Sequence, residues 1–480
     1  MSDDWQQLRT TLKKIWGYED FRAPQGEIIR TLLAHRDALI IMPTGGGKSI
    51  CFQLPALLQT GLTVVVSPLV ALMENQVQEL NQRQIPAALV HSELPKSRRK
   101  VTLNAISQGK LKLLYLSPET LLSPVVWQIL CQPQLEINSL ILDEAHCLVQ
   151  WGDTFRPAYR RLGALRPALL KFKPPGSKIA VAAFTATADI QTQQMIQQAL
   201  QLRQPETFIL SPYRPNLHLQ VQVVWTPRGK RQRMLRFIQA REKEIGLVYV
   251  RSRRESEKLA QWFRDLGYQC AAYHGGLSAT QRRNIEHGWL SGKLLFVVCT
   301  CAFGMGINQP HCRWILHFQA PQLLSEYVQE VGRGGRDGKP ATALALVSES
   351  TGWFNPEDKQ RQQFFTDKLE QQYQKAQQLA RKLPRKGEID KFPNSELTLA
   401  LLHSAGQLIW QDPFHFRQTS GNLAVAIKQL RQRQQHSQSQ SQKYLRTRQC
   451  RWQFLLTAFG FSQQAEGFSC GHCDNCCRNR

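Results

Sequence analysis

"IIMPTGGGKSICFQL", Ile40 to Leu54, decides the fold. An apolar strand runs into a proline and a glycine loop, and the loop leads into a helical run. Three glycines, Gly45, Gly46 and Gly47, let backbone amides close around phosphate oxygens. Thr44 opens that cradle, Lys48 can reach the outer phosphates and Ser49 can ligate magnesium. The strict eight-residue form of this loop has a glycine at position 42, where this chain has Met42. Strand, loop and helix are nevertheless all in place, and such a unit opens a parallel sheet.

Working outward, the strand-like runs "DALIIMP", "LTVVVSP", "LKLLYLSPE", "SLILDEAH" and "KIAVAAFTATA" alternate with helical segments, and a second series runs from "IGLVYVRS" to "ATALALVSES". The reading is α/β, with two parallel-sheet domains covering residues 1–210 and 211–350, joined near "SPYRPNLHLQV". Residues 351–442 turn helical, glutamine-rich and basic. Within them "SELTLALLHSAGQLIWQDPFHFR" reads as a helix stopped at Gly406 and two short strands. That is the layout of a recognition helix and wing over 384–420, or equally of an ordinary helix and hairpin. Residues 429–442, "QLRQRQQHSQSQSQ", read as a Gln/Ser-rich linker or an exposed helix end, and 443–480 as a cysteine module.

The chain has 480 residues with 61 Lys+Arg against 36 Asp+Glu, a formal charge of +25. That excess favours a polyanionic partner, nucleic acid before membrane. No apolar run reaches the roughly eighteen residues of a membrane span, and the amino terminus has no signal layout. The expectation is a cytoplasmic protein, nucleoid-associated in a prokaryote, with no membrane partner.

Asp143 and Glu144 close the run "LILDEAH". At the tip of a strand parallel to the phosphate-loop strand, Asp143 can hold magnesium through water and Glu144 can orient the attacking water. "QEVGRGGRDG" supplies Gln329, Arg333 and Arg336 from the second domain as positive charge for the transferred phosphoryl, so hydrolysis should require domain closure. An RNA-contacting or solvated turn is the other reading of that loop. Cys450, Cys470, Cys473 and Cys476 stand at spacings that let four thiolates close a tetrahedral zinc shell. Disulfides are the competing reading, and the adjacent Cys477 leaves the fourth ligand open.

The ordered motifs "YEDFRAPQGEII", "MPTGGGKS", "SPLVALMENQV", "DEAHCLVQWGDTFRPAYRRL", "FTATA", "VYVRSRRESEKLA", "AAYHGGL", "AFGMGINQP" and "QEVGRGGRDG" resemble superfamily 2 helicases, and the RecQ group closely. The resemblance implies two RecA-like domains followed by a helical zinc-binding module. It implies an ATP-dependent DNA helicase moving 3′ to 5′ on single-stranded DNA and unwinding duplex or branched DNA in recombination and repair, with ATP, Mg2+ and Zn2+. Tyr18, Arg22 and Gln25 would recognise adenine, and Thr185 and Thr187 would couple nucleotide state to movement. The loop after the carboxylate pair would sense single-stranded DNA through Trp151, Phe155, Arg156, Tyr159 and Arg160. Flat rings there can stack bases for about 1 to 3 kcal/mol each while arginines draw phosphates. A DNA-annealing protein using ATP as a switch, and an RNA helicase, are the alternatives.

This chain departs from the family pattern at Asp153, Thr154 and Ala158, and Gly334 replaces a common alanine, which is expected to loosen its loop. The separation of Arg336 from Cys450 makes 380–442 an insertion. With the chain stopping at Arg480, the resemblance gives a short form without the usual C-terminal winged-helix and helicase-and-RNase-D-like domains.

Overall fold

The computed structural model describes residues 2–478 apart from Thr44, Ser92, Trp151, Asp153, Thr154, Phe155, Met305, Gly306, Asn308 and Ser350, and apart from the side chains of residues 2–4, 150 and 478. The chain forms two compact units, 1–210 with 372–430, and 211–371 with 431–480.

The first unit holds strands β1 (Ala38–Ile41), β2 (Leu62–Val66), β3 (Ala87–Val90), β4 (Leu113–Leu116), β5 (Ile137–Leu142), β6 (Ala180–Thr185) and β7 (Glu206–Ile209). They order as β3-β4-β2-β5-β6-β1-β7, with every pairing parallel. Val64, Val65 and Val66 are buried in succession, as a strand covered by helices on both faces requires. Alternate residues feed two cores: Leu39, Ile41, Leu140 and Leu142 on one face, and Ala38, Ile40, Ile141 and Phe184 on the other.

The second unit holds β8 (Leu217–Val224), β9 (Ile245–Tyr249), β10 (Cys270–Tyr273), β11 (Phe296–Cys299), β12 (Cys312–His317) and β13 (Ala341–Ser348), ordered β10-β11-β9-β12-β13-β8 and again all parallel. One face of this sheet shares its core with the C-terminal module through Tyr444, Trp452, Leu455 and Phe459. Trp452 Nε1 donates to Leu217 O at 3.1 Å, and Val221 N donates to Asp474 Oδ2 at 3.0 Å. Cysteine module and sheet therefore fold as one hydrophobic body.

The region 351–442, expected as a helical segment with an insertion, is divided between the units. Helix Glu396–Ser404 ends before Gly406, whose φ of 68° is the left-handed stop the sequence predicted. Strands β14 (Lys386–Glu388), β15 (Leu408–Trp410) and β16 (His415–Gln418) then form an antiparallel sheet ordered β14-β16-β15. The helix and two strands follow the predicted layout, and β14 is an addition. Of the two readings of residues 429–442, linker or exposed helix end, the helical one holds, for the helix Leu423–Arg446 runs through them. Glutamine, arginine and lysine are good helix formers and no glycine or proline interrupts them, so low complexity did not mean disorder here.

Candidate active site

The strand order β5-β6-β1 sets three motifs side by side. Ile41 of β1 pairs with Thr185 of β6, and Leu142 of β5 pairs with Ala183. The phosphate loop, the TAT segment and the carboxylate pair therefore leave one sheet edge together, at the carboxyl ends where parallel sheets bind ligands.

Helix Lys48–Leu58 starts on Gly47, whose φ of 78° lies in the left-handed region. A side chain there would also meet Gln25 Nε2 at 2.3 Å. Gln25 donates to the carbonyls of Gly46 and Gly47 at 3.0 and 3.3 Å and accepts from Arg22 N at 3.0 Å, so it ties the helix Gln25–Leu33 to the loop. Met42 is buried, and a Cβ on Gly46 would lie 2.6 Å from its Cγ. The missing first glycine is thus accommodated by packing methionine under the loop. Tyr18 and Arg22 are exposed, while Thr44 lies outside the described residues.

Among the described residues Lys48 Nζ is buried with no hydrogen-bond acceptor, and Glu144 Oε1 stands 3.8 Å away. An orphaned ammonium beneath a glycine cradle at a helix amino terminus fits a polyphosphate. Ser49 Oγ receives the Gln76 amide at 3.4 Å. Asp143 is buried, and burial together with the neighbouring Glu144 pushes its carboxyl up to about 7, against the pull of Lys48. A bound cation would favour the ionised form, so the donor set fits a divalent metal. Glu144 adopts φ 51°, a strained backbone for a non-glycine residue.

His146 was quoted in the sequence motif but given no role. Its Nδ1 lies 3.0 Å from Thr185 Oγ1 and 3.3 Å from Glu144 Oε2. Thr185 Oγ1 in turn donates to Thr187 O at 3.2 Å. One imidazole therefore links the carboxylate pair to both threonines; the signal was present in the motif itself.

The loop after the carboxylates divides. Trp151 and Phe155 lie outside the described residues, as do Asp153 and Thr154. Tyr159 is 1% exposed and Arg160 3%, so both side chains are packed inside the unit. They lie on the 3-10 helix Pro157–Ala164, most of whose residues are buried. Arg156 grips Glu119 through Nε at 2.9 Å and Nη2 at 2.6 Å and donates to Pro68 O, which makes it an anchor of the loop.

In the second unit Gln329 lies on helix Leu324–Val331, with Arg333 and Arg336 just beyond it. Arg333 is buried and donates to Gly304 O; a Cβ on Gly304 would meet Arg333 Nε at 2.6 Å. Arg336 donates to Ile307 O at 2.7 Å, and burial, with the nearby Arg333, lowers its guanidinium to about 10. Gly334 is closely packed, since a Cβ would sit 3.2 Å from Ala341 Cβ and 3.3 Å from Leu217 Cδ1. Glu330, absent from the sequence reading, takes both Arg251 nitrogens at 2.9 and 2.7 Å and approaches His317 Nε2 at 2.8 Å. That buried triad fixes the arginine-bearing helix to β12 and to the end of β9.

The sulfur atoms of Cys450, Cys470, Cys473 and Cys476 all lie within 4.8 Å of one another. A tetrahedral zinc–thiolate shell has S···S edges of about 3.8 Å. Cys470 and Cys476 are 3.9 Å apart and Cys473 and Cys476 3.4 Å, so the set fits zinc. Cys477 is exposed, with its sulfur directed to Gly471 O, and stands outside the cluster. Hydrogen bonds with Cys470 and Cys473 lower the Cys450 thiol, and those with Cys450 and Cys473 raise that of Cys470, so the sulfurs are within reach of one another's protons.

Three family models match: "DEAD/DEAH box helicase" over residues 22–196, "Helicase conserved C-terminal domain" over 229–338 and "RecQ zinc-binding" over 414–477. A Synechocystis protein named ATP-dependent DNA helicase RecQ is 52% identical over 98% of this chain and 98% of its own length. The chain belongs to the RecQ helicase family. A Haemophilus influenzae RecQ is 37% identical over 74% of the chain, which spans only 56% of that relative. The RecQ fold of this chain is like that of yeast Dbp5 bound to RNA and ADP BeF3, with TM-score 0.58, 16% identity, and 71% and 88% of the two chains covered. It is also like the DUF1998 helicase MrfA bound to DNA, with TM-score 0.59, 19% identity, and 88% and 63% covered. Both likenesses concern the fold, two parallel-sheet RecA-like bodies. Among the described residues no helix is long and apolar enough to cross a membrane.

Proposed function

We propose that this RecQ-family chain is an ATP-dependent DNA helicase that moves 3′ to 5′ on single-stranded DNA and opens duplex or branched DNA in recombination and repair, in the cytoplasm at the nucleoid. The observation that carries the reading is the common sheet edge of Lys48, Glu144 and Thr185, with His146 touching the last two.

Gly45, Gly46, Gly47 and Lys48 hold the phosphates, and Gln25, with Tyr18 and Arg22 near it, takes the base. Ser49 and Asp143 would hold a magnesium ion, which would supply charge neutralisation of the phosphates. Glu144 takes a proton from the attacking water and orients it. Gln329, Arg333 and Arg336 supply hydrogen bonds and positive charge for the phosphoryl group in transfer. Thr185 and Thr187 report through His146 on whether Glu144 is engaged. The loop with Trp151 and Phe155 stacks bases, anchored at its far end by Arg156. The four cysteines would hold zinc, which would supply rigidity to the module packed on β8.

The test is steady-state ATP hydrolysis with magnesium, with and without single-stranded DNA, alongside strand displacement on 3′-tailed and 5′-tailed duplexes. Stimulated hydrolysis with displacement of the 3′-tailed duplex alone is the expected result. Hydrolysis indifferent to DNA would overturn it in favour of a binding or annealing protein.

A further inference from the structure

We propose that Gln76 is a positioning residue for the magnesium site, acting through its side-chain amide on the hydroxyl of Ser49. The proposal rests on the functional reading above, in which Ser49 would be a ligand of that ion.

The helix Val70–Gln82 buries Met73, Val77 and Leu80, a stripe at helical spacing. That stripe belongs to the same core as Met42 under the phosphate loop and as Cys51 and Phe52 of the helix Lys48–Leu58. Both helices are therefore fixed against one shared core. Gln76, three residues after Met73, lies half-buried at the edge of the stripe, and from there its side chain reaches Ser49, 27 residues earlier in the chain.

Gln76 Nε2 donates to Ser49 Oγ at 3.4 Å, and Gln76 Oε1 is buried without a hydrogen-bond partner among the described residues. A buried acceptor left unmade is costly, and packing alone would be served as well by an apolar side chain. The metal site gives that oxygen a use. A hydroxyl that lends a lone pair to a cation becomes a stronger donor, and its proton needs an acceptor. A half-turn of the carboxamide exchanges its nitrogen for its oxygen, so one side chain donates to the Ser49 hydroxyl in one orientation and accepts from it in the other. In the accepting orientation the Ser49 lone pairs are left for the cation. Partners that orient a metal ligand in this way set metal affinity by about 10- to 100-fold.

The experiment uses the full chain and a fluorescent ADP analogue, whose binding is titrated with magnesium and measured again in EDTA. In Gln76→Leu the magnesium concentration at half-maximal enhancement of binding should rise about tenfold, with affinity in EDTA within about twofold of the parent. Gln76→Glu can accept but not donate, and should keep that half-point within about threefold of the parent. In a Ser49→Ala background Gln76→Leu should add less than about twofold, because its effect runs through the hydroxyl. An unchanged half-point in Gln76→Leu, an equal rise in Gln76→Glu, affinity lost equally with and without magnesium, or full additivity with Ser49→Ala would overturn the positioning role alone. A parent whose ADP affinity ignores magnesium would overturn the metal site of the functional reading and this inference together.

Discussion

Lys48 Nζ stands 3.8 Å from Glu144 Oε1, beyond hydrogen-bond range, with both side chains largely enclosed. The ammonium is paired with the carboxylate by charge but not by a hydrogen bond, leaving its donors for a phosphate. Lys48→Ala should therefore lower hydrolysis by about 10²-fold or more while single-stranded DNA affinity changes little. Turnover assays beside fluorescence-anisotropy titration check both halves, and unchanged turnover would remove Lys48 from the site.

Glu144→Gln keeps the shape of the side chain and removes its basicity. Hydrolysis should fall by about 10²-fold or more with nucleotide affinity retained, since general-base catalysis contributes on that scale. Binding of a fluorescent nucleotide analogue distinguishes this from a collapsed site; loss of binding would mean that Glu144 shapes the pocket instead.

Met42 and Gly46 should be coupled. Gly46→Ala forces a Cβ to 2.6 Å from Met42 Cγ, an overpacking cost of about 1 to 3 kcal/mol, and should weaken nucleotide binding. Adding Met42→Ala should recover part of the loss. A double-mutant cycle on nucleotide affinity measures the coupling, and strict additivity would mean the contact is slack.

Glu330 makes the second unit acid-sensitive. Burial alone would raise its carboxyl, but Arg251, and then His317, bring it from the ordinary 4.5 to about 2. The depressed value contributes stability above pH 4.5, lost as pH falls from there toward 2. Glu330→Gln leaves the Arg251 charge buried without its partner and should cost about 3 to 5 kcal/mol at neutral pH. Thermal denaturation from pH 3 to 8 should show a lower Tm in the variant and a shallower acid limb; coincident curves would refute the network's contribution.

Zinc content should separate the adjacent cysteines. Cys476→Ser should lose the bound zinc equivalent and Cys477→Ser retain it, because only the first sulfur lies within the cluster. Chelation should also perturb the second sheet, since Trp452 of the module packs on Leu217. Metal analysis and tryptophan fluorescence read the two effects, and zinc retained in Cys476→Ser would reassign the fourth ligand.

Much of this protein is written locally. Phosphate loop, carboxylate pair and cysteine spacings are legible because each chemistry needs particular residue types at short separations, and the buried strands because parallel sheets demand continuous apolar runs. His146 and Glu330 were harder to read. Both lie inside quoted motifs, but their roles depend on partners that only the fold brings near.

The sequence by itself determined two α/β bodies, a metal cluster and the motifs of a nucleotide site. Tertiary structure decided that the side chains of Tyr159 and Arg160 are buried, that the glutamine-rich stretch is helix, and that the helix Glu396–Ser404 packs against the 3-10 helix Pro157–Ala164. The physical reason is range. Periodicity and spacing report on neighbours a few residues apart, whereas the contact of Pro413 with Arg161 is set by long-range packing that leaves no local pattern.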